Sequence, residues 1–280
     1  MRNLRECRVV ETADEALELV RSHPGRAAYM GGGTHLVMRG DPELVAVADL
    51  SRLGLDRIEP VTDGMRLGAT LPLARLELDA RCRGVCGGLL AAAAGRTRTQ
   101  AWRAQATLGG RLREADSCDL VTVALLVADA RVELQRAPRT RPALVGLGEA
   151  RREDASSLFL WIEVPERPGW RYALEETALT RQGAPMVAIA AGLRVRDGRV
   201  QEARVAGVGL WPEPSRAAAC EAALIGLAED ADDFAEAQHR LSAEIAPPED
   251  FRATGEYRSH LAGVLLARAL RHALAATPVA

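Results

Sequence analysis

The sequence contains no lysine, and all 36 of its basic side chains are arginines. That absence excludes chemistry needing a side-chain amine, such as a Schiff base or the cation of a P-loop. A positive excess is lacking too. The 38 acidic residues leave a formal net charge of -2, which argues against a general nucleic-acid or membrane-surface binder and points to small molecules or proteins as partners. The five cysteines, Cys7, Cys82, Cys86, Cys118 and Cys220, are odd in number and include no CxxC pair, so neither a disulfide framework nor a zinc or iron-sulfur site is indicated. Reduced thiols in the cytoplasm are the expectation. Residues 1–25 are charged throughout, and no stretch reaches the ~18 uncharged apolar residues of a spanning helix, so neither an export signal nor a membrane segment is expected.

With 280 residues and 48% hydrophobic content, the chain has material for two domains with a core each. After a strand at Arg8-Val9-Val10, Thr12 with Glu15 three residues later forms a capping box. It opens a helix that runs to Arg21 and puts Ala16, Leu19 and Val20 on one face. His23-Pro24-Gly25 ends this helix, and Ala27 to Met30 reads as a buried strand leading into Gly31-Gly32-Gly33. A strand over Leu44 to Asp49 and a hairpin over Ile58 to Leu67 around Asp63-Gly64 follow. Leu71 to Ala94 carries Leu and Ala at helical spacing, with Cys82 and Cys86 four apart on it, and Gly95 punctuates it. A helix from Asp119 to Ala128, a strand from Ala130 to Leu134, a surface excursion from Arg136 to Pro142 and a strand from Leu158 to Val164 complete the first part. Pro165 to Gly169 reads as the linker. Strands over Ala173 to Thr180, Met186 to Val195 and Val200 to Val208, with helices over Ser215 to Leu227 and Gly255 to Leu274, make up the second.

Two glycine turns are the candidates for ligand chemistry. Glycine permits positive φ and brings backbone N–H groups close to a ligand, so Gly31-Gly32-Gly33-Thr34 and Thr107-Leu108-Gly109-Gly110 could each cradle an anion with main-chain donors and a threonine hydroxyl. Either alone could equally be a turn without a ligand. Neither matches G-x-G-x-x-G or the P-loop pattern. His239, His260 and His272 lack partners at metal-ligand spacing and read as helix-face residues. Trp102 reads as a half-buried core aromatic.

Taken together, the motifs carry a resemblance. A strand running into Gly-Gly-Thr, LGATLPLARLE over Leu67 to Glu77, Ala-Thr-Leu-Gly-Gly over 106–110, and Asp-Leu-Val from Asp119 follow in order. Gly207 to Arg216 and Tyr257 to Leu266 come after them. This order resembles the FAD-binding medium subunits of molybdenum hydroxylases, such as xanthine and carbon monoxide dehydrogenases, from end to end. The resemblance implies an α+β fold in which a two-subdomain FAD-binding domain of the PCMH type precedes a small α+β C-terminal domain, a three-stranded sheet with helices. The domains would be 1–168, with subdomains of about 1–55 and 56–168, and 169–280.

The resemblance also implies roles. Gly31, Gly32, Gly33 and Thr34 would hold the FAD diphosphate from one side, and Thr107, Gly109 and Gly110 from the other. Asp119 would accept hydrogen bonds from the sugar hydroxyls, a role compatible with its capping its own helix. The chain departs from the family pattern at His35, Ala104, Arg111 and Glu114, in the turn between Ala115 and Asp119, and in the loop Arg181-Gln182-Gly183-Ala184-Pro185. Arg111 and His35 would add positive character beside the diphosphate, whereas Glu114 would oppose it unless paired with a cation such as Arg111 or Arg113. The implied function is electron transfer from [2Fe-2S] clusters on a small partner subunit, fed by a molybdopterin large subunit, to NAD, oxygen or a quinone. The alternative is a paralogue that keeps the fold as an assembly platform without FAD.

Overall fold

The computed structural model describes residues 3–114, 119–180 and 183–279. Its strands are β1 (Glu6–Val9), β2 (Ala27–Met30), β3 (Ala46–Asp49), β4 (Ile58–Val61), β5 (Gly64–Gly68), β6 (Arg131–Gln135), β7 (Ala143–Gly146), β8 (Leu158–Pro165), β9 (Trp170–Ala178), β10 (Pro185–Arg196), β11 (Arg199–Val208) and β12 (Ser215–Arg216). Its helices are α1 (Ala13–Ser22), α2 (Thr34–Arg39), α3 (Leu73–Leu78), α4 (Ala80–Gly84), α5 (Leu89–Arg96), α6 (Gln100–Gln105), α7 (Leu108–Arg113), α8 (Leu120–Val127), α9 (Leu147–Arg152), α10 (Ala218–Leu224), α11 (Ala235–Glu244) and α12 (Gly255–Ala275), with a 3-10 turn at Val85–Gly88. The chain divides into two compact units. One comprises Met1–Arg75, Gln100–Glu114 and Asp129–Pro165, and the other Leu76–Thr99, Ala115–Ala128 and Glu166–Ala280.

The first unit begins with a parallel sheet of order β1-β3-β2. Its central strand is the short apolar run Ala46-Val47-Ala48, as burial on both faces demands. Helix α1 covers it with Ala16, Leu17, Leu19 and Val20, packed with Val45, Ala46 and Ala48. The expected cap forms, since Thr12 Oγ1 accepts the Glu15 N–H at 3.2 Å. The Glu15 carboxylate accepts the N–H of Glu11, one residue before the cap, at 2.9 Å. An antiparallel sheet of order β4-β5-β8-β6-β7 follows, with the predicted hairpin turn between β4 and β5. Leu158 and Leu160 of β8 join the core under α1.

The second unit is built on the antiparallel sheet β12-β11-β10-β9. Val187, Ile189, Ala191 and Leu193 of β10 enter one core with α10, α11 and α12. On the other face, a Cβ at Gly192 would come within 2.9 Å of Val127 on α8. Burial on both faces explains why Met186 to Ala191 reads as an unbroken apolar run.

Two expectations are corrected. The C-terminal sheet has a fourth strand, because Ser215 and Arg216 pair with Gly207 and Ala206 instead of starting a helix. The Glu221 carboxylate fixes this strand by accepting Arg216 Nε at 2.8 Å and the Val205 N–H at 2.9 Å. The Leu71–Ala94 stretch forms separate short helices. Cys86 (φ 50), Gly87 (φ 59) and Gly88 (φ 80) turn left-handed, which takes Cys86 off the helix that carries Cys82. Gly95 is the last residue but one of α5, which ends at Arg96.

Candidate functional site

Strand β2 leaves its sheet after Met30, whose carbonyl accepts the Leu50 N–H at 2.9 Å, and the chain enters Gly31-Gly32-Gly33. Gly33 takes left-handed φ (70) at the N-terminus of α2 and provides no side-chain cap. The N–H groups of Gly31, Gly32, Gly33 and Thr34 meet no acceptor among the described residues. These glycines press against the second turn. A Cβ on Gly31 would lie 2.5 Å from Thr107 Oγ1, and one on Gly32 would run into the Gln105 carbonyl. Only glycine permits that approach, so the first turn lies against the Thr107 side chain of the second and against the Gln105 backbone just before it.

The second turn uses its own donors internally. The Leu108 N–H donates to the Leu71 carbonyl at 2.9 Å, and the Gly109 N–H to the Ala69 carbonyl at 2.7 Å. Thr107 caps α7 by accepting the Gly110 N–H at 3.3 Å, and the Arg111 N–H returns to the Thr107 carbonyl at 3.0 Å. A Cβ on Gly109 would come within 2.8 Å of Ala69, so this glycine permits the close packing of α7 on the segment after β5. The main-chain donors offered to an anion therefore come from the first turn, and the second supplies a wall and a threonine hydroxyl. A diphosphate, which binds through main-chain N–H groups at a glycine turn, fits such a site.

The Arg111 guanidinium is buried over the Trp102 ring, 5.3 Å from its centroid, and forms an ion pair with Glu114. The other carboxylate oxygen of Glu114 lies 3.3 Å from His35 Nδ1. Glu114 is thus paired by Arg111 and His35, and Arg113 turns elsewhere. It donates to Ser157 Oγ at 2.9 Å, and its guanidinium lies 4.0 Å from the Phe159 ring centre. Burial holds the Arg113 guanidinium below its ordinary pKa and the nearby Tyr29 hydroxyl well above its own. Trp102 is half-buried, as expected. Arg181 and Gln182, and the turn from Ala115 to Cys118, lie outside the described residues.

Asp119 lies in the second unit and is almost fully buried. It caps α8 by accepting the Val121 N–H at 3.2 Å and the Thr122 hydroxyl at 2.6 Å. Because α8 is buried along nearly its whole length, Asp119→Ala is expected to cost about 1–2 kcal/mol of stability. A urea-unfolding midpoint equal to that of wild type would contradict this. His239 lies on α11, and His260 and His272 lie on α12, where His272 Nδ1 contacts Glu175 at 2.8 Å.

The architecture defines an α+β protein in which a glycine turn after a small parallel sheet packs closely on Gln105 and Thr107, and which also contains a second antiparallel-sheet domain. The chain belongs to the molybdopterin dehydrogenase flavoprotein family. Residues 5–148, just over half of it, match the model of the FAD binding domain in molybdopterin dehydrogenase, and residues 176–273 match the CO dehydrogenase flavoprotein C-terminal domain. It is 24% identical over 173 residues to the glyceraldehyde dehydrogenase medium chain of Sulfolobus acidocaldarius, covering 60% of this chain and 62% of that one. The chain thus spans less than two thirds of that relative's length. Its fold is similar to that of a carbon monoxide dehydrogenase from Hydrogenophaga pseudoflava in a form lacking the Mo-pyranopterin moiety of the molybdenum cofactor, with TM-score 0.90, 24% identity and coverage of 97% and 98% of the two chains. It is also similar to that of quinoline 2-oxidoreductase from Pseudomonas putida 86, with TM-score 0.86, 20% identity and 97% coverage of each chain.

Proposed function

We propose that the chain holds FAD as the electron-transfer subunit of a molybdopterin-dependent hydroxylase or dehydrogenase complex, with 1–168 as its FAD-binding domain and 169–280 as the C-terminal flavoprotein domain. The matched stretches 5–148 and 176–273 support a boundary between them. The observation that carries the reading is the close packing of Gly31 and Gly32 on Gln105 and Thr107, beside a run of N–H groups that the described chain does not use. Gly31, Gly32, Gly33 and Thr34 direct donors at the diphosphate, while Thr107, Gly109 and Gly110 shape the opposite wall. For Asp119, the sugar hydroxyls are the role the resemblance implies, beside the cap it makes on α8. FAD, when bound, supplies a carrier for both paired and single electrons. The protein's task is to bind and orient it, and no side chain need act as acid or base.

In this reading the partners are an iron-sulfur small subunit, which delivers electrons, and a molybdopterin large subunit, where substrate is oxidised. NAD, oxygen or a quinone would accept the electrons. The cytoplasm is the compartment we assign, in keeping with an odd set of cysteines that includes no CxxC pair. A second reading, an assembly platform without flavin, draws on the internal use of the Leu108, Gly109 and Gly110 donors.

Purification discriminates between the two. The expected result is a yellow chain absorbing at about 450 nm that releases FAD on denaturation. A colourless chain that takes up none of the added FAD would overturn the leading reading and leave the platform. Copurification with subunits carrying molybdopterin and iron-sulfur clusters tests the partners.

A further inference from the structure

We propose that Glu114 is a positioning residue that latches the two glycine turns together, holding Arg111 of one and His35 of the other, and so sets the spacing of the cradle. The proposal rests on the FAD reading for its functional consequence, while the latch itself can be tested without flavin.

The first turn makes few hydrogen bonds of its own among the described residues. Helix α2, into which it leads, has six residues and buries none of their side chains. Gly31 to Thr34 accept and donate few bonds, the exception being the Gly33 carbonyl, which takes the Val37 N–H within the helix. By contrast, the second turn is tied down by Leu71, Ala69 and Trp102 through bonds from Leu108, Gly109 and Ala106. The Trp102–Arg111–Glu114–His35 series therefore runs from the turn rich in main-chain bonds to the one poor in them.

The links in that series differ in strength. Arg111 is 4% exposed and Glu114 11%, so their ion pair is shielded from solvent. The pair holds the Glu114 carboxylate in one place at the end of α7, where the Glu114 N–H donates to the Gly110 carbonyl at 3.2 Å. His35 is 48% exposed, and a contact of that kind contributes little to global stability. Its consequence is local, because it joins α2, and through it the first turn, to an oxygen fixed by the second. A carboxylate beside an anion cradle opposes the anion unless its charge is taken up elsewhere. Here a buried guanidinium takes it up, which leaves the carboxylate available as a clasp.

The test uses the full chain and the variants His35→Ala, Glu114→Ala and their double. Amide hydrogen exchange over Val37 to Gly40, where the Val37 N–H donates to the Gly33 carbonyl and the Gly40 N–H to that of Leu36, is expected to speed up roughly tenfold in each single variant. The double should exchange no faster than the faster single, since both substitutions open one clasp. Exchange in α1 should stay at the wild-type rate, and His35→Ala should leave the melting midpoint where it is. In the same samples, dissociation constants for FAD and for ADP are expected to rise about tenfold together, because the shared diphosphate is what the cradle would hold. Unchanged exchange over Val37 to Gly40 in His35→Ala, or tighter FAD binding in Glu114→Ala, would overturn the latch. Should Glu114→Ala fail to fold, His35→Ala decides by itself, since it leaves the Arg111–Glu114 pair in place. A wild-type chain that binds no FAD would sink the flavin reading, and the exchange result would still stand for or against the latch.

Discussion

Gly32→Ala is expected to abolish flavin retention and to lower the melting temperature by roughly 6–12 °C, the shift that a loss of about 3 kcal/mol produces in a chain of this size. The added Cβ would run into the carbonyl of Gln105. The chain on either side of Gln105 is fastened, as the Ala106 N–H donates to Trp102 at 2.9 Å and the Leu73 N–H to Ala106 at 2.9 Å. Overpacking against a side chain can be relieved by a rotamer change, but overpacking against a fastened backbone cannot. The turns must separate, and the donors of Gly31 to Thr34 then lose their common aim. Gly148→Ala is the control, because Gly148 lies within α9 with no atom near the site of a Cβ, and alanine there should be neutral or stabilising by about 0.5–1 kcal/mol. Circular-dichroism melts and flavin absorbance read both outcomes. A Gly32→Ala protein that melts with wild type and stays yellow would mean that the turns do not pack as closely as the structure shows.

What the sequence revealed follows the range of the forces involved. Strand β2, the hairpin of β4 and β5, the long strands β10 and β11 and helix α12 came out close to their observed bounds, because each is set by local apolar periodicity and by turn residues such as Asp63-Gly64 and Asp197-Gly198. The left-handed break at Cys86 was hidden, since leucine and alanine spacing says nothing about the sign of φ. Strand β12 is two residues long and has no period to detect. Helix α11 carries a signal, with Phe234, Ala237 and Leu241 buried at helical spacing, but the acidic run before it masks that period. At the site, the order of motifs pointed to two turns facing one diphosphate. It could not show that Leu108 and Gly109 spend their N–H groups on Leu71 and Ala69, because those bonds exist only once the chain is folded. For Glu114 the sequence left a choice between Arg111 and Arg113, and the fold settled it by burying Arg111 beside the carboxylate and drawing Arg113 to Ser157.

Arg258→Leu is expected to cost about 3–5 kcal/mol, read as the fall in unfolding free energy from urea titration. Arg258 belongs to the Tyr257 to Leu266 segment that marked the family resemblance, and the fold assigns it a structural task. Its side chain is fully buried, donates to the Met186 carbonyl of β10, and bonds Asp250 Oδ1 at 2.7 Å. Leucine would fill much of the volume, yet the Met186 carbonyl would lose that donor and Asp250 its link from the loop to α12. Asp250 also accepts Arg252 Nε at 2.9 Å and the Arg252 N–H at 2.9 Å. Those bonds, the Arg252 side chain foremost and Arg258 after it, hold its carboxyl far below the usual carboxylate range. The sign of the pH effect follows from that depression. A carboxyl whose folded pKa is lowered contributes stability above its unfolded value of about 3.9 and loses it as pH falls toward the folded value. Wild type should therefore weaken below about pH 4 through Asp250, and Arg258→Leu, in which one of the two arginine partners is gone, should show a shallower acid slope. An equal slope in the two proteins would assign the low pKa to Arg252 alone. It would leave the stability loss at neutral pH as the measure of what Arg258 does for β10.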